Sequence, residues 1–457
     1  MKYALPEEVG KTLQKLRNAG FEAYAVGGCV RDLLLEKETK DWDFTTNATP
    51  EQILSLFPDG FYDNKFGTVG VPIELKVKSE KLKVVYEITT YRMEHGYSDH
   101  RRPDKVVWGT SLSDDLSRRD FTINAMAYDG KKFFDPFEGK KDLEKKLVRA
   151  VRNPEERFAE DALRMMRAVR FASELRFTIE EKTFAAIQKH VKLISHVSHE
   201  RIREELVRIL SSYSPADGIL LLRNGGLLEV ILPEVERCFG VEQKSPKRHH
   251  IYDVGTHLVE SLRHCPSHDP IVRLATLLHD TGKAETYAKT DEGVITFYNH
   301  EILGGSIVFN IAERLRFSKK EREKLVTLVR CHQFTVDERQ TDKAIRRFIR
   351  NVGSENLDDM LAVRIGDRLG GGATETSWRL ELFKKRLVDV QKQPFTVADL
   401  KADGNDVMKI YGIGSGPLVG VALDMLFNDV VEGKIKNERE ALLQRIEDLK
   451  KESKIGK

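Results

Sequence analysis

The sequence predicts an α+β protein: a head built on a small mixed sheet, followed by a mostly α-helical neck, body and tail. Two observations carry this. Strand-type runs are confined to the first 150 residues, at 24–26, 68–77 and 83–91, with a further candidate near 125–135. From about residue 152 the apolar residues recur at helical spacing, over 156–175, 180–192, 199–212 and 216–225, and the pattern continues beyond,. Strands first and helices afterwards is the order of an α+β head on a helical body. A chain of 457 residues is too long for one ordinary core,. Breaks at Pro233, Pro246, the PSHDP segment and Pro394 suggest the divisions,. The expected parts are a head over 1–150, a neck over 151–235, a body over 236–390 and a tail over 391–457.

Composition narrows the function classes. Hydrophobic residues make up 40% of the chain, enough for a folded protein and against a disordered one,. Seventy-five basic against 72 acidic residues leave +3, so net charge alone calls for no polyanion partner, although basic residues cluster at 101–119 and 164–176,. No stretch approaches the ~18 apolar residues of a membrane span. The start, MKYALPEEVGK, has no secretory apolar core, so a cytoplasmic protein without membrane association is expected,. Cys29, Cys238, Cys265 and Cys331 have no CxxC spacing, which argues against a disulfide framework or a zinc site,.

Three segments of the head carry chemistry. In GGCVRD (27–32) a double glycine follows a strand and opens a helix. Glycine lets backbone amides approach a phosphate, and Arg31 adds a cation; alone, this is an ordinary turn. In DWDFTT (41–46) the carboxylates of Asp41 and Asp43 lie two apart, so in a strand they share a face while Trp42 points into a core,. Two adjacent anions repel unless a cation lies between them, and hard oxygen ligands suit magnesium. RRDFTINAMAYD (118–129) brings Arg118 and Arg119 as phosphate donors and Asp120 as support for the metal or the arginines,. Glu87 is a further in-strand carboxylate.

These segments, in this order, resemble the polymerase-beta-like nucleotidyltransferases. The closer likeness is to the class II branch of bacterial CCA-adding enzymes and poly(A) polymerases. The likeness spans roughly the first 215 residues. It implies a five-stranded-type catalytic head and phosphoryl transfer assisted by two Mg2+ ions. Asp41 and Asp43 would hold metal and act in catalysis with Asp120; Gly28, Arg31 and Arg119 would hold the triphosphate.

In the neck, ERFAEDALRMMRAVRFASEL (156–175) reads as one helix, which makes Asp161 and Arg164 surface neighbours,. An ionised Asp only accepts hydrogen bonds and an Arg only donates them. Side by side they complement cytosine and adenine, which present an amine next to an unprotonated ring nitrogen, and oppose uracil and guanine. A protein pair could thus admit CTP and ATP without a template. The segment resembles the family's EDxxR motif, assigned this role. Arg167 and Arg170 match positions that contact the nucleotide, although residues three apart spiral away from a single base edge. YRMEHGYSDHRRPDKVVWG (91–109) reads as a loop near the site, and its full length, by family likeness, favours completion with A,.

The body carries a second constellation. His257, the His279-Asp280 dyad of LLHDTGK and Asp367, with His300 and His332, occur in an order resembling HD-domain phosphohydrolases. Imidazole and carboxylate together suit a transition metal. In the tail, GIGSGP (412–417) before a helix resembles a tRNA-binding segment and equally fits an interhelical turn. The expected activity is addition of C, C and A from CTP and ATP to the tRNA 3′ end, with no obligatory protein partner. The rivals are CC addition, A addition, poly(A) synthesis, or an HD-type phosphohydrolase.

Overall fold

The computed structural model describes residues 3–452 except 40, 65–66, 78–79, 97–104, 109–110, 244–250, 392–396 and 433. The chain opens on helix α1 (Glu7–Asn18), amphipathic because Val9, Leu13 and Leu16 fall on one face and are buried. Acidic Glu7 and Glu8 in its first turn and basic Lys15 and Arg17 in its last complement the helix dipole,. Strand β1 (Ala23–Val26) then leads through Gly27 into the short helix α2 (Gly28–Leu34).

The remaining head strands are β2 (Asp43–Thr46), β3 (Phe61–Asn64), β4 (Thr68–Val77), β5 (Glu80–Thr90), β6 (Arg92–His95), β7 (Lys105–Trp108), β8 (Ala127–Tyr128), β9 (Phe133–Phe134) and the two-residue β10 (Leu147–Val148), which pairs with Thr178–Ile179 of the neck. One sheet runs in the order β3-β4-β5-β2-β1-β8-β9. It is mixed because β2 and β5 pair in parallel, with Asp43 opposite Glu87, while the other neighbours are antiparallel. It has seven strands, two more than the family likeness implied. One addition is β3, which pairs along β4 at the edge. The other comes from residues 125–135, where Asp129 accepts the amides of Lys131 and Lys132 and folds the segment into the β8–β9 hairpin. Trp42, Phe44, Tyr86 and Ile88 are buried beneath the sheet.

The 156–175 segment forms two helices, not one: α3 (Pro154–Glu160) and α4 (Leu163–Leu175). Asp161 is extended (φ −139°, ψ 103°), and its Oδ1 accepts the Leu163 amide at 3.1 Å. A short acidic side chain that bonds the first amides of a helix favours a helix start over a helix interior, which is why the chain breaks here.

Helices continue through the neck, including α5 (His199–Ser211), and through the body, where Val254–Arg263, Pro270–Leu278, His300–Arg314, Lys319–Cys331 and Leu357–Gly370 pack together. Head, neck and body share one contiguous apolar core, whereas the tail helices have their own, around Val407, Leu426, Leu442 and Ile446. No helix among the described residues is long and apolar enough to cross a membrane.

Candidate functional site

The head site is organised around Gly27. Its φ of +86° is a left-handed conformation that favours glycine,. A Cβ at this position would lie 2.8 Å from Arg119 Nη1 and 3.7 Å from Asp43 Oδ2. The missing side chain is therefore what lets a guanidinium and a carboxylate close over the turn. Asp41 is exposed and precedes β2, so the strand itself starts at Asp43; Trp42 between them is buried, as the alternation requires. Burial raises the Asp43 carboxyl above its usual value, Arg119 opposes the rise and Asp41 adds to it. Asp41 is thus close enough to act on Asp43, and the two carboxylates form a hard-oxygen donor set that fits a divalent cation,. Exposed Glu87, beside Asp43 in the parallel register, adds a third carboxylate at this edge.

A residue the sequence reading missed supports this site. Asp115 is fully buried, binds Arg118 at 2.8 Å and stands 3.6 Å from Arg119, while Thr45 donates to it at 3.2 Å. Burial works to raise its carboxyl, but the two guanidiniums outweigh this and hold it below the ordinary value. The signal was present in SDDLSRRD: Asp115 lies three and four residues before the arginines, neighbours on a helix,.

Asp120 does not join the Asp41–Asp43 pair. Its Oδ2 is held by Arg167 at 2.5 and 2.9 Å, and its Oδ1 accepts from Asn124 and from the Phe121 amide. Burial pushes the carboxyl up, yet the Arg167 charge and hydrogen bonds prevail and keep it well below the usual range. Asp120 thus ties the head to the neck. Arg31 belongs to the same network: it clamps Asp32 at 2.9 and 3.0 Å and donates to Asn124 at 2.7 Å. Gly28, the first residue of α2, lies against it; a Cβ there would be 3.6 Å from the Arg31 guanidinium.

The helix breaks at Asp161, so Asp161 and Arg164 do not share one continuous helix, and each has a partner of its own. Asp161 binds Arg201 of α5 at 2.9 Å; Arg164 binds Glu160 at 2.7 Å and the Arg118 carbonyl at 2.9 Å. Arg201 and Glu160 were missed: the first is distant in sequence, the second is the better-spaced i,i+4 partner. Arg170 is 1% exposed and pairs with Glu205 at 2.8 Å inside the core of the neck. Within 91–109, Tyr97, Asp99, Arg101 and Arg102 lie outside the described residues; the flanking segments form the β6–β7 hairpin, with Arg92 opposite Trp108.

The body constellation comes together as expected. Asp280 lies at its centre. Its Oδ1 is 3.2 Å from His300 Nε2 and 3.4 Å from His332 Nε2; its Oδ2 is 3.3 Å from His279 Nε2, 3.6 Å from His257 Nε2 and 2.6 Å from Lys283 Nζ. Asp367 Oδ1 is 3.3 Å from His257 and 3.6 Å from His279. His279, His300 and His332 place Nδ1 2.6–2.8 Å from the carbonyls of Thr276, Phe297 and Val329. A carbonyl only accepts, so each Nδ1 carries a proton, and a ring with no second proton presents its Nε2 lone pair. Those lone pairs face a carboxylate, an arrangement that requires positive charge between them. A proton can supply it: burial lowers His279, but Asp280 and Asp367 raise it overall, to about 10. A metal ion is the alternative, with the carbonyls fixing the ligand tautomers. Two such ligand groups form, His257–His279–Asp280 and Asp280–His300–His332.

Comparison with known proteins bears on the head site. The poly A polymerase head domain profile matches residues 23–149, the RNA and SrmB-binding site of polymerase A matches 176–239, and tRNA nucleotidyltransferase domain 2 matches 308–446. A CCA-adding enzyme of Limosilactobacillus reuteri (strain DSM 20016) is 34% identical over 98% of both chains. The chain belongs to the CCA-adding enzyme family. It is a nucleotidyltransferase with an α+β head, and enzymes of this family use divalent metal ions. The Lactobacillus helveticus enzyme is 51% identical over 43% of this chain and 48% of its own. Among solved structures, the Bacillus stearothermophilus CCA-adding enzyme in complex with CTP superposes with a TM-score of 0.68 at 26% identity, over 98% of each chain. The Thermotoga maritima CCA-adding enzyme complexed with tRNA, at 19% identity and a TM-score of 0.60 over 97% of this chain and 95% of that one, shares the fold.

Proposed function

We propose that this protein adds C, C and A from CTP and ATP to the tRNA 3′ end, releasing pyrophosphate, without a nucleic-acid template. The observation that carries the reading is the closure of Arg119 and Asp43 over Gly27: a guanidinium suited to triphosphate beside a carboxylate suited to metal,. The family relatives and the CTP-bound relative support it. Asp41 and Asp43 would hold Mg2+, which when bound neutralises the pyrophosphate and lowers the pKa of the attacking hydroxyl. Gly28 lets the backbone approach the phosphates, and Arg31 and Arg119 offer charge to them. Asp120 acts by fixing Arg167 at the head–neck junction. Asp161 and Arg164 would meet the base edge after exchanging Arg201 and Glu160 for it. The 3′ hydroxyl is the nucleophile, so no covalent enzyme intermediate forms. The four parts retain their sequence boundaries in this reading, with the tail and its GIGSGP turn gripping tRNA.

The test is extension of tRNA transcripts lacking one, two or three terminal nucleotides, with each triphosphate alone and together. Restoration of full CCA is expected. Accumulation of ends in CC despite ATP, or a long A tract on unrelated RNA, overturns the reading.

A second reading concerns the body, favoured by the convergence of lone pairs on Asp280. The reading is a metal-dependent phosphohydrolase site of HD type, with a transition metal held by His257, His279, Asp280 and Asp367. Calorimetric titration with Mn2+ tests it: binding that is lost in Asp280→Asn supports it, and absence of binding removes it.

A further inference from the structure

Two cavities meet at Arg364. The inner one, about 400 Å³, is bounded by Asp280, Lys283, His300, His332 and Asp367, and opens past Tyr298, which is 78% exposed. The outer one, about 330 Å³, is lined by Phe334, Arg364, Arg368, Trp378 and Arg379 and by no acidic residue. Arg364 lines both; one guanidinium nitrogen is 3.3 Å from Asp367 Oδ2, and its buried Nε has no hydrogen-bond partner among the described residues. Arg368 is held only by the carbonyls of Thr374 and Thr376, and among the described residues no carboxylate pairs with it. Arg379 pairs with Glu338 at 2.8 Å and lies 5.1 Å from the centre of the Trp378 ring, which is itself 63% exposed.

We propose that these cavities form one cleft for a single-stranded RNA segment, with a phosphodiester against Arg364 and Arg368 and the neighbouring base stacked on Trp378. The inference rests on the reading of the Asp280 cluster as a phosphoester site and names its substrate class. A small phosphomonoester would need only the inner cavity. The outer one adds what a strand requires: Arg368, which no carboxylate neutralises among the described residues, and an indole left in solvent on the same wall. Aromatic platforms interleaved with arginines bind single strands without sequence preference, because every base has a face to stack and every linkage a charge. Apolar peptides would leave Arg368 uncompensated.

The full-length protein allows a direct test. Trp42 is buried, so Trp108→Phe leaves Trp378 as the single exposed tryptophan among the described residues. In this background, with EDTA present, hexacytidylate should quench the indole emission saturably. Arg368→Gln should raise the midpoint about tenfold and flatten the logarithmic salt dependence by about 0.7, the loss of one phosphate contact on a single strand. If Arg368→Gln disturbs the loop, Arg364→Lys serves as the second variant: it keeps the charge, removes the fork, and should also weaken binding. Absence of quenching, an unchanged midpoint in both variants, or equal quenching by cytidine 5′-monophosphate at the same concentration overturns the proposal. The Mn2+ titration on the same proteins separates the two claims. Retained Mn2+ binding without RNA binding removes only the cleft, and loss of Mn2+ binding removes the phosphoester reading itself.

Discussion

The head site and the body cluster are both built around an aspartate, but their surroundings differ in almost every respect. Asp43 stands at the start of a strand with Asp41 in solvent beside it, Glu87 opposite it in register and the Arg119 guanidinium close by. Asp280 is 3% exposed and ringed by the neighbouring His279 and Lys283 and by His257, His300 and His332, which lie far apart in sequence. Oxygen donors at an open edge suit a hydrated, exchangeable hard cation that arrives with its nucleotide. Nitrogen and oxygen donors at the buried floor of a cavity between helices suit a resident borderline metal,. The same residue type thus sits in two different donor sets, because the fold around it sets the partners and the access of water.

The sharpest way to break that comparison is to exchange the losses. Asp43→Ala should lower nucleotide addition about a thousandfold, the equivalent of several kcal/mol of lost charge stabilisation, and leave Mn2+ titration of the body unchanged. His279→Ala should do the reverse. If either variant disables both readouts, the sites are not independent. Asp280→Asn should weaken Mn2+ binding by at least about 100-fold, since even outer partners of metal ligands contribute 10–100-fold.

Asp120 sharpens the contrast, being buried yet tied to an arginine and to no metal-type group. Asp120→Asn should cost about 2 kcal/mol in denaturant unfolding, the lower end for a broken buried pair because Arg167 retains 33% exposure,. The folded carboxyl is held below its unfolded value, so the pair's contribution is complete above the ordinary Asp value near 4 and is lost as pH falls through the depressed one,. The parent and variant curves should therefore run parallel at neutral pH and converge only in strong acid. The smallest effect belongs to Gly27→Ala, which should cost about 1–2 kcal/mol for the left-handed backbone and weaken triphosphate binding by displacing Arg119, seen as a rise in KM for CTP,.

How much of this was legible in the sequence depended on the range of the interaction. The strand-then-helix order, the glycine turn and the alternation that buries Trp42 are local, and the structure has each of them. The body histidines were placed in order by family likeness, and they do converge. Periodicity failed at Asp161, where apolar spacing continues through a helix break because capping depends on one side chain and not on the repeat. Arg201 was beyond reach because it approaches from another helix, 40 residues on. The Arg167–Asp120 pair spans 47 residues and two parts of the chain, and nothing local announces it.

One property of the body cluster follows from which atoms orient its rings. The acceptors at 276, 297 and 329 are main-chain oxygens, and every amino acid brings an identical one. Side-chain replacement at those three positions cannot delete the contact. The aim of the imidazoles is therefore inherited from the path of the backbone, and it persists for as long as the helix ends keep their course.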